Sequence, residues 1–67
     1  MSREQKIGSR LRRLRGKRTL DEVAAALGVT RQAISYYESG QRTPKDKMKI
    51  VIAKYYGTTV QDIFFAD

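Results

Sequence analysis

Helix start signals and glycines alternate along most of this chain, and that alternation constrains the fold more than any other feature. A threonine precedes an acidic residue by three positions in the segments that begin at Thr19, Thr43 and Thr59. The hydroxyl and the carboxylate of such a pair can bond the free amides of a helix start. Thr30 offers a fourth cap, and Pro44 suits the first position of a helix. Glycines follow where these helices should end: Gly16, Gly28, Gly40 and Gly57.

The spacing of apolar residues agrees with these signals. Ile7, Leu11 and Leu14 form one helical stripe in the first segment. Caps and stripes together predict helices at about 3–15, 20–27, 31–39, 44–56 and 60–65, and no strand. For the fourth helix they predict an inward face of five residues: Met48, Val51, Ile52, Tyr55 and Tyr56. We therefore expect an all-α fold, a compact five-helix bundle that forms a single domain over residues 1–67.

Charge and composition exclude several functions. Fourteen Lys and Arg against seven Asp and Glu give a net charge of +7, which favours polyanionic partners such as nucleic acid. His and Cys are both absent, so the usual general base, thiolate chemistry and zinc ligands are missing. We expect no enzyme, cofactor, metal or small-molecule ligand. The longest apolar run is residues 23–27, far short of the roughly 20 residues of a membrane span. Because residues 1–7 also carry no secretory signal, we expect a cytoplasmic protein.

The segment from Thr19 to Gly40 carries the functional signal. A helix that ends at Leu27 is followed by the turn Gly28-Val29-Thr30 and then by a second capped helix. Glycine suits the turn because it adopts a positive φ without strain. Two short helices joined in this way predict a helix-turn-helix motif at about 19–39.

The apolar and small residues of this motif resemble those of the XRE family, the Cro and cI-type phage repressors. The matching residues are Leu20, Val23, Ala24, Leu27, Gly28, Val29, Ile34 and Tyr37. The following segment, 37–44, resembles the family's pattern of Glu, a small residue or Asn, Gly, a basic residue and Pro. The resemblance covers nearly the whole chain and implies a lambda-repressor-like fold. It also implies a transcriptional regulator that binds double-stranded DNA sequence-specifically.

The resemblance implies a role for the polar residues of the motif. In this family the third helix enters the major groove, where its first residues read base edges. The corresponding positions here are Arg31, Gln32, Ser35 and Tyr36. Arg suits guanine, Gln suits adenine, Ser suits either, and a Tyr ring can pack on a thymine methyl. The alternative is that these residues form only the solvated face of an amphipathic helix.

Phosphate contacts are expected on both sides of the reading helix. The residues implied are Arg18, Thr19, Thr30, Ser39, Gln41, Arg42 and Lys45. This chain has Leu20 where the family often has a glutamine that binds phosphate and supports the third helix. That difference shifts the expected contact to Thr19, Arg18 and the backbone amides.

Two further expectations concern packing and assembly. The resemblance implies a salt bridge between Arg13 in the first helix and Glu38 at the end of the third. The surplus of apolar residues towards the carboxyl end predicts a homodimer interface at Ile50, Ile63, Phe64 and Phe65. The alternative for Phe64 is that it closes the core. A twofold dimer would bind an operator made of inverted half-sites.

These expectations describe a repressor of the phage or mobile-element type, bacterial or phage-encoded and associated with the nucleoid, that covers a promoter. One alternative is an antitoxin-like protein-interaction module that binds and inhibits a partner protein through its carboxyl-terminal aromatics. Another is a basic protein at a membrane surface. That alternative fits less well because the apolar stripes of these helices face one another rather than a lipid.

Overall fold

The computed structural model describes residues 2–66, and within them the chain forms helices and no strand. The elements in chain order are α1 (Arg3–Arg15), α2 (Leu20–Leu27), α3 (Arg31–Ser39), α4 (Asp46–Tyr55) and α5 (Gln61–Phe65), the last being a short π-helical segment. The expected all-α, five-helix architecture is confirmed. The bounds of the first three helices are those expected from the sequence, whereas α4 begins two residues later than expected.

Three of the four expected threonine caps are present. The hydroxyls of Thr19, Thr30 and Thr59 accept hydrogen bonds from backbone amides three residues ahead, at 3.1, 3.1 and 3.0 Å. The expectation at Thr43 is wrong, because α4 begins only after Lys45, whose side chain makes no capping bond. Pro44 is instead buried in the irregular connection from α3 to α4. A residue before proline is biased towards extended backbone, which favours such a connection.

One apolar core joins all five helices. Its buried members are Ile7, Leu11, Val23, Ala24, Leu27, Ile34, Ile52, Ala53, Ile63 and Phe64. The inward face expected for α4 is wrong at one position, since Val51 is exposed while Ala53 is buried beside Ile52. Judged by apolarity alone, valine is the better candidate for burial than alanine. The smaller alanine, however, lets the helix approach its neighbours closely.

The first and third helices pack closely at Gly8. A Cβ atom at this position would collide with the backbone carbonyl oxygen of Glu38 and would lie 2.8 Å from that of Tyr37. Only glycine therefore allows α1 and α3 to come this close. The contact sets the position of the whole third helix against its support.

Glu38 pairs with Arg15 and not with Arg13, so the expected salt bridge is corrected by two residues. The Glu38 carboxylate accepts from Arg15 Nε at 2.7 Å and from Arg15 Nη2 at 3.1 Å. These hydrogen bonds raise the pKa of the Arg15 guanidinium. Arg13 is exposed. Residues two apart on a helix point roughly 200° apart, so only one of the two arginines can face α3.

The last segment, α5, closes the core and does not expose most of its apolar residues. Ile63 and Phe64 are each only 1% exposed, so the interface role expected for Ile63 is wrong, and Phe64 closes the core, which was the alternative considered for it. Arg10 of α1 ties the segment down, because its Nη1 donates to the Ile63 carbonyl oxygen at 2.8 Å. Among the expected interface residues, Ile50 and Phe65 are exposed. None of the helices in residues 2–66 is long and apolar enough to cross a membrane.

Candidate nucleic-acid interface

The turn between α2 and α3 has the geometry that a helix-turn-helix motif requires. Gly28 adopts the left-handed conformation with φ of 71°, which ends α2. The amide of Val29 then donates back to the Ala24 carbonyl oxygen at 3.0 Å. Thr30 follows at once as the cap of α3. The direction in which α3 leaves the body is therefore fixed by local bonds and does not depend on a flexible loop.

The third helix is buried on one side and open on the other. Ala33 and Ile34 are buried beneath it, and α3 packs against both α1 and α2. The four residues expected to read bases lie on the remaining surface: Arg31, Gln32 and Ser35 are exposed, and Tyr36 is half-buried. The structure thus brings all four together on the outer side of one rigid helix.

Arg31 stands at the first position of α3 with its guanidinium in solvent. Its Nε lies 3.7 Å from Oδ1 of Asp21, and both side chains are mostly exposed. An exposed ion pair of this kind contributes little stability. The guanidinium can therefore leave Asp21 for a stronger acceptor. The sequence motif did not indicate that Asp21 lies beside Arg31.

Gln32 and Tyr36 are joined by a hydrogen bond across one turn of α3. The amide Nε2 of Gln32 donates to the Tyr36 hydroxyl at 2.7 Å. The guanidinium carbon of Arg42 lies 5.3 Å from the centroid of the Tyr36 ring, which is a cation–π distance. Arg42, which was expected to bind phosphate, therefore also packs on the exposed side of α3.

The last residue of α3 and the segment after it carry most of the other expected phosphate ligands. Ser39 donates from its hydroxyl to the Tyr36 carbonyl oxygen at 3.2 Å. Gln41 and Arg42 are exposed, and their backbone amides donate to that same oxygen at 3.0 and 3.3 Å. Lys45 is also exposed and, with Arg42, lines a shallow groove. Lys47 lines the groove as well. The family motif did not indicate this residue, although its positive charge is the feature that would suit a phosphate.

Arg18 is placed differently from the other expected phosphate ligands. Its guanidinium carbon lies 5.4 Å from the Tyr55 ring and 5.6 Å from the Tyr56 ring. Its Nη1 donates to the Leu14 carbonyl oxygen at 3.1 Å. The side chain is thus drawn towards the carboxyl end of α4 rather than left free beside Thr19.

Comparison with known proteins agrees with this geometry. A family model described as helix-turn-helix matches residues 10–63, which is most of the chain. The chain belongs to the XRE-type helix-turn-helix family. The resemblance seen in the sequence is confirmed, and the protein is a DNA-binding regulator of transcription rather than an enzyme.

Three relatives of this family member carry the same description, uncharacterized HTH-type transcriptional regulator. One from Methanocaldococcus jannaschii is 41% identical over 46 residues, covering 69% of this chain and 70% of the relative. Two from Archaeoglobus fulgidus are 33% and 31% identical over 61 residues, covering 88% of this chain and 86% and 87% of the relatives. No solved structure gives a significant match.

The helix-turn-helix of this family member departs from the usual pattern at Leu20. The side chain is half-buried and packs against the core, so it is not available to a phosphate. Thr19, by contrast, is exposed and caps α2, whose first amides carry the positive end of the helix dipole. The amino end of α2 can therefore hold a phosphate through backbone groups.

Proposed function

We propose that the protein is a repressor that binds an inverted-repeat operator as a homodimer, with α3 of each protomer in the major groove. The observation that carries the proposal is the outward polar side of α3, held rigid by α1 and α2 beneath it. A major groove about 12 Å wide admits one α-helix. The helix-turn-helix motif inserts its second helix in this way.

The chemistry of the exposed side chains matches base edges. A guanidinium such as that of Arg31 can donate two hydrogen bonds to O6 and N7 of guanine. The Gln32 amide can donate to N7 and accept from N6 of adenine. Ser35 serves either base, and the Tyr36 ring can pack on a thymine methyl. Each good two-point contact discriminates by about 1 to 3 kcal/mol against the wrong base.

Phosphate contacts would hold the helix in register. The starts of α2 and α3, capped by Thr19 and Thr30, each present free backbone amides. Further polar and basic side chains come from Ser39 at the end of α3 and from Gln41, Arg42 and Lys45 after it. If each protomer neutralises about five phosphates, the slope of log affinity against log salt for a dimer approaches about −9. Arg18 contributes to the basic field rather than through a direct contact, because its side chain packs on α4.

A second protomer is part of the proposal because one domain contacts only about half of an operator, and specific binding usually needs both halves. The apolar side chains available for pairing are Ile50, Val51 and Phe65, which are about half exposed. Val51 joins the expected set, which loses Ile63 and Phe64 to the core. Half-sites in a twofold complex would stand roughly 34 Å apart, one turn of the duplex.

Regulation by such a complex follows from occupancy. A dimer seated across a promoter excludes polymerase from the same DNA, which makes the protein a repressor that acts at the nucleoid. The expected phage or mobile-element origin stays a prediction. The three relatives named above come from archaea.

Selection of binding sites from random duplexes tests the proposal. The wild-type protein should enrich an inverted repeat, and Arg31→Ala should lose its preference at one base pair per half-site. Uniform weakening across all sequences would make Arg31 a phosphate ligand instead. The matched control is Arg13→Ala, which removes an exposed arginine from α1 and should leave the selected sequence unchanged. A wild-type protein that holds all sequences equally would contradict sequence-specific repression and would leave the antitoxin-like alternative open.

A further inference from the structure

We infer that Tyr36 is a positioning residue that orients Gln32 for its base, and that Arg42 in turn holds Tyr36 in place. The inference rests on the proposed function, because it concerns how one base-reading side chain is prepared before DNA arrives. Its basis is a series of contacts that runs from the carboxyl cap of α3 back to the second residue of that helix.

The series begins at the backbone of Tyr36. Its carbonyl oxygen accepts from the amides of Gly40 and Gln41, and from that of Arg42 at 3.3 Å. Gly40 adopts the left-handed conformation with φ of 82°, which turns the chain back over the end of the helix. Because the backbone amide of Arg42 is bonded to the Tyr36 carbonyl oxygen, the side chains of the two residues leave the backbone close to each other.

The second link is the stack of the Arg42 guanidinium on the Tyr36 ring, at 5.3 Å from the centroid. A planar guanidinium on an aromatic face restricts rotation of the ring and leaves the hydroxyl free at its far edge. Tyr36 is half-buried, and its hydroxyl points along the helix towards Gln32.

The third link is the hydrogen bond from Gln32 Nε2 to the Tyr36 hydroxyl, at 2.7 Å. The two residues are four apart and share one side of α3. An amide nitrogen carries two hydrogens, so Gln32 keeps one N–H and its Oε1 after this bond is made. One donor beside one acceptor is the pair that the N7 and N6 edge of adenine requires.

The consequence for recognition is preorganisation. A free glutamine side chain on a helix surface samples many rotamers, and binding must select one of them. A side chain that is already held loses less conformational entropy on binding, which strengthens the correct contact and leaves wrong bases facing a fixed, mismatched edge. The Tyr36 hydroxyl therefore acts on the base pair that Gln32 reads, separately from any contact that the ring makes with a thymine methyl.

Tyr36→Phe tests this step with little disturbance, because it keeps the ring and the Arg42 stack and removes only the hydroxyl. In selection from random duplexes, preference at the base pair read by Gln32 should fall by roughly three- to tenfold. Affinity for random-sequence DNA and the salt slope should stay as in the wild type. Tyr55→Phe, which removes a tyrosine hydroxyl from α4, is the matched control and should change neither.

A double-variant cycle separates positioning from direct reading. Gln32→Ala should abolish preference at the same base pair, and adding Tyr36→Phe to it should cause no further change there. If Tyr36→Phe alters a different base pair, or adds its full effect to Gln32→Ala, Tyr36 reads a base itself and the inference is overturned. If wild-type protein selects a sequence that Tyr36→Phe leaves unaltered, the inference fails while the proposed function stands. Absence of any wild-type preference overturns both.

A measurement without DNA supplies an independent readout. In the free protein, NMR relaxation of the Gln32 side-chain amide should show greater mobility in Tyr36→Phe than in the wild type. Arg42→Lys should have a smaller effect in the same direction, because it keeps the charge for phosphate but loses the planar stack. Unchanged mobility of this amide in Tyr36→Phe would overturn the inference whatever the selection experiment shows.

Discussion

Arg15 and Glu38 link the end of the first helix to the end of the third through two hydrogen bonds, at 2.7 and 3.1 Å. The same guanidinium donates through Nη1 to the Arg18 carbonyl oxygen at 2.8 Å, in the turn before α2. The Glu38 side chain is only 9% exposed. One ion pair therefore ties α3 both to α1 and to the entry of the helix-turn-helix motif.

Removing Glu38 should destabilise the domain strongly. Glu38→Ala leaves the Arg15 charge in a largely enclosed place without its partner, which costs about 3 kcal/mol. Urea denaturation monitored by circular dichroism measures the loss of the free energy of unfolding. Arg13→Ala is the control, since it removes an exposed arginine and should change stability by less than about 0.5 kcal/mol. Equal effects of Glu38→Ala and Arg13→Ala would contradict the role of the pair.

Stability should fall at alkaline pH because of Tyr56. Burial, helped by the negative charge of Glu38, raises the pKa of this hydroxyl to about 12 from an ordinary value of 10.0. Below pH 10 the group is protonated in both the folded and the unfolded chain and contributes no pH dependence. As pH rises from 10 towards 12, the unfolded chain ionises first, so the folded state loses stability.

Tyr56→Phe provides the test of that alkaline loss. The variant cannot ionise at this position, so its stability should fall less than that of the wild type between neutral pH and pH 11, as measured by urea denaturation. Tyr55→Phe is the matched control. The interpretation is wrong if the two variants and the wild type lose stability in parallel.

The parts of this fold that the sequence predicts are those fixed by neighbouring residues. The caps at Thr19 and Thr30 need only a hydroxyl and the next three amides, so their positions follow from the order of residues. Ser2 and Gln5 form a further capping box that was not predicted, because it uses serine and glutamine in place of threonine and an acid. The outward side of α3 was expected from the spacing of apolar residues within the helix, which is also a local pattern.

Apart from the cap at Thr43, the parts that the sequence failed to predict depend on packing between distant segments. The choice of Arg15 over Arg13 is made by the rotation of α1 against α3, which no local pattern encodes. Ile63 lies in the core because α5 folds back onto α1, as the bond from Arg10 to the Ile63 carbonyl shows, whereas for Phe64 the sequence left the core and an interface both open. The bond between Gln32 and Tyr36 depends on side-chain rotamers, so spacing allowed it without predicting it.

Gly8→Ala should destabilise the domain although alanine favours helices. The added Cβ would meet the backbone of Glu38 and Tyr37, where no side chain can give way. Separation of α1 from α3 should cost about 3 kcal/mol, near the upper end for overpacking. Thermal unfolding measures the effect, with the exposed Ser9→Ala on the same helix as the control. A melting temperature for Gly8→Ala at or above the wild-type value would show that the helices are not this close.

Asp21→Asn should tighten DNA binding. The Asp21 carboxylate lies 3.7 Å from Arg31 and would face the phosphates when α3 enters the groove. Removing its charge frees Arg31 and reduces repulsion, so affinity should rise by roughly two- to fivefold at low salt. Fluorescence anisotropy with a labelled duplex measures it. Glu22→Gln removes an acid from the same turn without touching Arg31, and an equal gain there would assign the effect to net charge alone.

Self-association through Phe65 should become stronger as the salt concentration rises. Its half-exposed ring is flanked by two cations, the Arg3 guanidinium at 5.6 Å and the Lys49 ammonium at 5.3 Å. A twofold interface through Phe65 brings both sets of cations towards each other. Salt screens that repulsion, and apolar burial at Phe65 and Ile50 then dominates. DNA binding should weaken over the same range because phosphate contacts release counterions.

Sedimentation equilibrium at low and high salt measures this opposite response. Phe65→Ser should weaken self-association at every salt concentration while the fold persists, because the ring contributes to the surface rather than to the core. Phe64→Ser alters the neighbouring residue, which is 1% exposed, and should instead unfold the domain. A dimer that dissociates as salt is added, or one that is indifferent to Phe65→Ser, would place the interface elsewhere.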